Sequence, residues 1–152
     1  MAGVPGKNKI TRGIRVSVDN SAGQAKDLSS DLVPGSLNGL GFKAGEIEMT
    51  GESETTGNYL PDRKENELSM QFYVNDTATT GSTTVLNGIP GTVVTVLVEL
   101  GSLGAAPSTG DPTFSGEFCC LDVSVSSSGG KLIHSCSFKP SGATPPAWGT
   151  KA

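Results

Sequence analysis

The sequence predicts a mainly β protein: a two-sheet antiparallel β-sandwich or partial barrel with one short flanking α-helix and a long inter-strand loop. Three observations predict it. Gly 21 and Pro 9, with aromatics at only 5%, point to strands joined by many turns and away from a helical bundle. Period-two alternation is clean over Glu67–Val74, where Leu68, Met70, Phe72 and Val74 oppose Glu67, Ser69, Gln71 and Tyr73. The third is Phe114–Ser126 and Lys131–Lys139, joined through Ser127–Gly130 as a hairpin.

The elements follow in order along 152 residues, a length that fits one domain, 1–152, with its own core. Met1–Gly13 reads as a flexible basic arm, with Lys7, Lys9 and Arg12, and leads into a strand over Ile14–Val18. Asp27–Gly41 is irregular and rich in turn residues. Phe42–Thr50 alternates, with Glu46 and Glu48 on one face and Ile47 and Met49 on the other. Gly51–Glu65, GESETTGNYLPDRKE, is a polar loop of unusual length, which in a compact domain signals function or disorder. Cap-type residues around Thr79–Ser82, followed by Val85 and Leu86, predict a helix of two turns at most. Thr92–Leu100 is β-branched with little polarity on either face, the pattern of a strand buried on both sides. Gly101–Pro112 is a loop, and the tail from Pro140 to Ala152 is linker-like with Trp148 as its one anchor.

Little in the chain suggests catalysis. His134 is the only histidine, so any histidine-assisted nucleophile would need it. It shares a strand face with Leu132, Cys136 and Phe138 and reads as a packed residue. With Cys136 at i+2, and Cys119 or Cys120 opposite, it forms the weak outline of a zinc site, although no CxxC or HxxxH spacing fixes the geometry. The expectation is no metal, no cofactor and no enzymatic activity. Phosphate-binding glycine motifs and calcium-loop patterns are absent from the sequence. Three cysteines, two of them adjacent, argue against a disulfide framework and for a reducing compartment. No secretory signal is visible at the start, and Val93–Leu100 is too short to cross a bilayer. The net charge of −4 gives no support to a nucleic-acid reader. Acids cluster instead: Glu46, Glu48, Glu52, Glu54, Asp62, Glu65, Glu67 and Asp76 face only Arg63 and Lys64 within that stretch.

Three blocks in this order resemble a known family. FKAGEIEMTGESETTGNYLPDRKENELSMQFYVND holds a strand, a variable loop and a Leu-Pro-x-x-Lys-x-x-x-Leu-Ser run into a second strand. STTVLNGIPGTVVTVLVEL is a small helix feeding a strand, and DPTFSGEFCCLDVSVSSSGGKLIHSCSFKPSG opens on Pro-x-Phe-Ser-Gly and closes on Ser-Gly. Together they cover most of residues 42–142, and they resemble the tail tube (major tail) proteins of bacteriophages with long, non-contractile tails. The Cys119–Cys120 pair departs from the family pattern, and the helix is shorter than usual for it.

The resemblance implies a virion protein, assembled in the host cytoplasm, whose copies close into hexameric rings that stack as a tube for genome ejection. Its partners would be itself and the tape-measure, tail-terminator and distal tail proteins. Double-stranded DNA would pass without specific binding, and no membrane would be involved. Four strands per subunit would give about 24 in the ring, hence a backbone diameter on the order of 48 Å, wider than a duplex. On this reading Phe42–Thr50 and Glu67–Val74 line the channel, with Glu46, Glu48, Glu67 and Gln71 inward, so that negative walls keep phosphates from sticking. Gly51, Glu52, Glu54, Tyr59, Leu60, Pro61, Asp62, Arg63, Lys64 and Glu65 form an arm between rings that orders only on stacking. Lys7, Lys9, Arg12 and Trp148 are candidate contacts between subunits. A capsid decoration or tail-terminator protein is the alternative, and a sugar-binding module using Tyr59 is a third reading.

Overall fold

The computed structural model describes residues 7, 9–102 and 104–152. In chain order come β1 (Lys9–Asp19), β2 (Ala25–Asp27), β3 (Lys43–Glu48), β4 (Tyr59–Glu65), β5 (Leu68–Tyr73), α1 (Ser82–Leu86), β6 (Val93–Ser102), β7 (Pro112–Ser128), β8 (Lys131–Pro140) and β9 (Ala147–Thr150). Seven strands make one sheet in the order β2-β1-β6-β7-β8-β5, with β9 also on β7; β3 and β4 pair only with each other. Every pairing is antiparallel.

Alternation places the core. Leu68, Met70 and Phe72 of β5 are buried, as are Val16 and Val18 of β1 and Val94, Val96 and Val98 of β6. Phe114, Phe118 and Cys120 of β7 and Cys136 and Phe138 of β8 join them, and Val85, Leu86 and Ile89 close one side from α1 and its exit. Each fully buried large side chain contributes about 1.5–3 kcal/mol.

Two devices wrap this sheet round its core. β7 is 17 residues long, pairs with β6 through Thr113–Cys119 and with β8 through Phe118–Ser128. An irregularity between Cys120 and Asp122 marks the bend, since an extra residue in one strand sharpens the local twist. The other device is the segment after β2. Leu28 N donates to Val16 O at 3.0 Å on the β1 edge, whereas Asp31 O accepts from Tyr73 N at 2.7 Å and Val33 N donates to Gln71 O at 2.9 Å on the β5 edge. One stretch of chain thus joins the two ends of the sheet, and the result is a partial barrel.

α1 is held from outside itself. Five residues are too few for a self-supporting helix. The buried Asp31 accepts hydrogen bonds from Ser82 N (3.2 Å) and Asn75 Nδ2 (3.0 Å), which satisfies a donor at the helix start. The β7–β8 turn has Gly129 at φ 58° and Gly130 at φ 79°, the doubly left-handed pair that a tight two-residue hairpin requires.

Four expectations need correction. β6 is buried on one face only: Val93 is 51% exposed and Thr95 is exposed, so its β-branched outer residues reflect strand propensity and not a second covering layer. The basic arm is shorter, because β1 begins at Lys9 and pairs there with Ser102. The tail contributes β9, whose Trp148 pairs with Phe114. The fourth concerns the long loop. Its second half, Tyr59–Glu65, is β4, paired with β3 through Ile47↔Leu60, Glu48↔Tyr59 and Glu46↔Pro61, leaving residues 49–58 as the connection. The Leu-Pro step did not prevent this because a strand at a sheet edge needs no inner donor at proline.

Candidate assembly surface

The β3–β4 hairpin stands apart from the sheet. All seven residues of β4 are exposed, and in β3 only Gly45 is partly covered. Cross-strand partners share a face, so Ile47, Met49 and Leu60 line one side and Glu46, Glu48, Tyr59 and Pro61 the other. Ile47 (47%), Met49 (57%), Tyr59 (55%) and Leu60 (52%) each leave about half their surface open. Asp62, Arg63, Lys64 and Glu65 continue along the second strand, and Gly51, Glu52 and Glu54 lie in the exposed connection.

The root of the hairpin is clamped. Asn66 is buried, and its Nδ2 donates to Gly39 O at 2.6 Å and to Gly41 O. Gly39 has φ +90°, and a Cβ there would lie 1.8 Å from Glu67 O. Only glycine fits so close a backbone approach in that conformation. Just before the first strand, Phe42 packs against Phe114 with ring centroids 5.8 Å apart and planes tilted by 60°, and Lys64 Nζ sits 5.5 Å from the Phe42 centroid. Phe114 in turn meets Trp148 at 5.0 Å and Phe118 at 6.4 Å.

The tip is also formed. Met49 N donates to Asn58 O (2.7 Å), Asn58 N to Thr50 Oγ1 (2.9 Å), Glu54 N to Gly51 O (3.0 Å), and Asn58 Nδ2 to the Glu54 carboxylate. The ladder and the tip bonds of the arm thus form within one chain.

The four residues expected to share one acidic wall lie on two sheets. Glu46 and Glu48 belong to the hairpin, whereas Glu67 and Gln71 lie along the outer face of β5, which pairs with β8 and not with β3. A single chain does not bring them together. Around Gln71 that outer face is rich in hydroxyls: Ser69 lies opposite Ser137, Gln71 Nε2 donates to Ser135 Oγ at 3.4 Å, and Lys131 Nζ lies 5.7 Å from the Tyr73 ring centroid.

Two of the four expected subunit-contact residues are engaged at home. Lys9 Nζ donates to Asp111 Oδ1 at 2.9 Å and to Ser102 Oγ at 2.6 Å. The Ser108 backbone N–H and then Lys9 hold the Asp111 carboxyl down at about 2. Trp148 rests on Phe114 but remains 48% exposed. Lys7 and Arg12 are exposed.

His134 is 2% exposed, with Nε2 2.9 Å from Thr83 Oγ1 and Nδ1 unpartnered. Burial lowers its pKa below the usual imidazole value. Cys120 and Cys136 are likewise buried, which pushes their thiols up to about 11 and about 12. No group of three His, Cys, Asp or Glu side chains converges among the described residues, and none of their helices is long and apolar enough to cross a membrane. The sequence missed Asp31 and Asn66; an isolated acid or amide in an irregular segment carries no periodic signal, and only Pro34 and Gly35 after Asp31 marked a constrained backbone.

No protein-family model matches the chain, and no curated protein does. Solved structures do. A chain of the PVC sheath–tube complex, an extracellular contractile injection system in its extended state, superposes with TM-score 0.59 at 10% identity, over 99% of this chain and 100% of that one. This is a tail-tube-like fold. A chain of the sheath/tube terminator of the same system, also in the extended state, gives TM-score 0.58 at 13% identity, covering 98% of both chains. The likeness runs to a contractile injection system, where the sequence resemblance pointed to non-contractile phage tails; what the superpositions show is the fold.

Proposed function

We propose that this chain is a structural subunit of a tail or injection-particle tube, one that assembles with copies of itself into stacked hexameric rings. The single observation that carries the reading is the β3–β4 hairpin. It is folded, clamped at its root, and exposes Ile47, Met49, Tyr59 and Leu60 with nothing among the described residues to cover them. Apolar side chains held out on a rigid element mark an interaction surface. The full-length likeness to components of a sheath–tube system supports the same role.

In this reading the tube is a conduit for a genome and the subunit has no catalytic task. Glu46 and Glu48 on the hairpin and Glu67 with Gln71 on β5 come onto one channel wall only when subunits associate. The carboxylates of Glu46, Glu48 and Glu67 repel phosphates on that wall, beside Lys131 over the Tyr73 ring and Lys139 in one cleft with Glu67; on this reading the acids keep DNA from sticking. Tape-measure, terminator and distal tail proteins are the expected partners, the virion tail is the location, and the host cytoplasm is the place of assembly.

A tube terminator is the second reading, favoured by the near-equal likeness to the sheath/tube terminator. Negative-stain microscopy with sedimentation on the purified chain across a concentration series tests both. Hollow tubes support the tube subunit, and rings that never stack support the terminator. A monomer at every concentration would overturn both.

A further inference from the structure

A cleft of about 440 Å³ lies between β1 and the segment that follows β2, lined by Thr11, Arg12, Ile14, Arg15, Leu32 and Leu37 among others. Its size is within the range of ligand sites. Its floor is apolar: Ile14, Leu32 and Leu37 pack against the core from partly open positions. Its rim carries two arginines. Arg15 Nη1 donates to the carbonyls of Arg12 and Ile14, both at 2.9 Å, which bends the guanidinium back over the strand. Arg12 crosses Gly104, where a Cβ would come within 2.4 Å of its Nε.

No carboxylate neutralises either arginine among the described residues. The ion pairs there are Lys9–Asp111 and Lys151–Glu99. Glu99 lies opposite Arg15 in register, but Lys151 Nζ holds its Oε2 at 2.7 Å. Asp27, next along, accepts from Ser29 N at 2.9 Å and from Ser29 Oγ at 2.5 Å. The hairpin tip is the chemical complement. Glu52 and Glu54 are exposed with no cation within ion-pair distance among the described residues, and Met49 stands 57% exposed beside them.

We infer that the cleft of one copy receives the β3–β4 tip of the next, Arg12 and Arg15 pairing with Glu52 and Glu54 over the apolar floor. This rests on the self-assembly reading and names the surface that meets the hairpin. Such a contact joins unlike patches head to tail, so it propagates from copy to copy and does not stop at a dimer. Charge complementarity fixes which patch meets which, because like charges placed face to face are strongly disfavoured.

The test uses charge reversal in the full chain. Arg12→Glu/Arg15→Glu and Glu52→Lys/Glu54→Lys are made separately and combined, with melting temperature as the folding control and sedimentation and microscopy as readouts. Each pair alone should raise the concentration needed for self-association on the order of 100-fold. The four-fold variant, with both sides reversed, should return to within several-fold of the parent. Tubes unaffected by either reversal would overturn the pairing and leave the tube reading standing. A folded four-fold variant that stays dissociated would also overturn the pairing. Self-association that follows the charges but never yields tubes or rings would support the pairing and remove the ring-and-tube reading. No self-association of the parent would overturn both.

Discussion

Replacing Ile47 and Leu60 together by threonine separates an assembly role from a folding role. The two are direct cross-strand partners and are 47% and 52% exposed. Full burial of such a side chain is worth about 1.5–3 kcal/mol. Covering the open half of each on association would therefore contribute about 0.8–1.5 kcal/mol per residue, or about 1.5–3 kcal/mol for the pair. At 1.4 kcal/mol per factor of ten, the critical concentration for assembly should rise roughly 10- to 150-fold. Threonine keeps strand propensity, so the hairpin should persist. The chain's own stability should change by no more than about 0.5 kcal/mol, as for most surface substitutions. Sedimentation of assembled material against total concentration gives the first number, and urea unfolding of the dissociated chain gives the second. An unchanged critical concentration with an unchanged fold would refute the assignment of this face to association. A large loss of stability would show that the two residues serve the monomer instead.

Three other perturbations address the supports. Asn66→Ala removes the donor to Gly39 O and Gly41 O and should cost about 1–3 kcal/mol, a fall of roughly 2–12 °C in melting temperature for a chain of this size; an unchanged melting curve would deny the clamp. His134 has its folded pKa lowered by burial, so its contribution to stability is full above the ordinary imidazole value near 6.5 and declines as pH falls below it. Urea midpoints should drop between pH 7.5 and pH 5, and His134→Gln should flatten that slope. Under native conditions a thiol reagent at pH 8 should spare Cys120 and Cys136, whose thiols sit at about 11 and 12, and react at most with the half-buried Cys119. Mass spectrometry should find all three modified only after denaturation.

The sequence made the one-sided strands plain because their chemistry alternates. Leu68, Met70 and Phe72 lie inside, with Glu67 and Gln71 outside, and the Gly129–Gly130 turn announces its hairpin. β4 was hidden for a physical reason. YLPDRKE is exposed on both faces, so no buried set selects a period, and its identity as a strand comes from its partner, β3. β9 was hidden likewise: Ala147–Thr150 is short and exposed, and it is a strand because β7 offers it an edge. At the candidate site, the tip glutamates and the arm arginines were visible as charges. The cleft was not, because residues 11–15 meet Leu32 and Leu37 only through the fold. The acidic wall was read from equal spacing on two strands, which within one chain pair in different sheets.

The clamp at Gly39 and Asn66 turns the hairpin into a gauge. β3 alone extends about 20 Å at roughly 3.3 Å per residue, and its root is tied to backbone carbonyls of the same chain. A flexible tether would let two joined copies sit at any separation within its reach. A strut of fixed length, rooted in a packed body, allows one. Its backbone is paired within the chain, so joining would bear less of the cost of about 1–2 kcal/mol for each residue that must be fixed. In a stack built through this element, every copy would repeat the spacing set by the one before it, and the pitch of the assembly would be written into a single subunit.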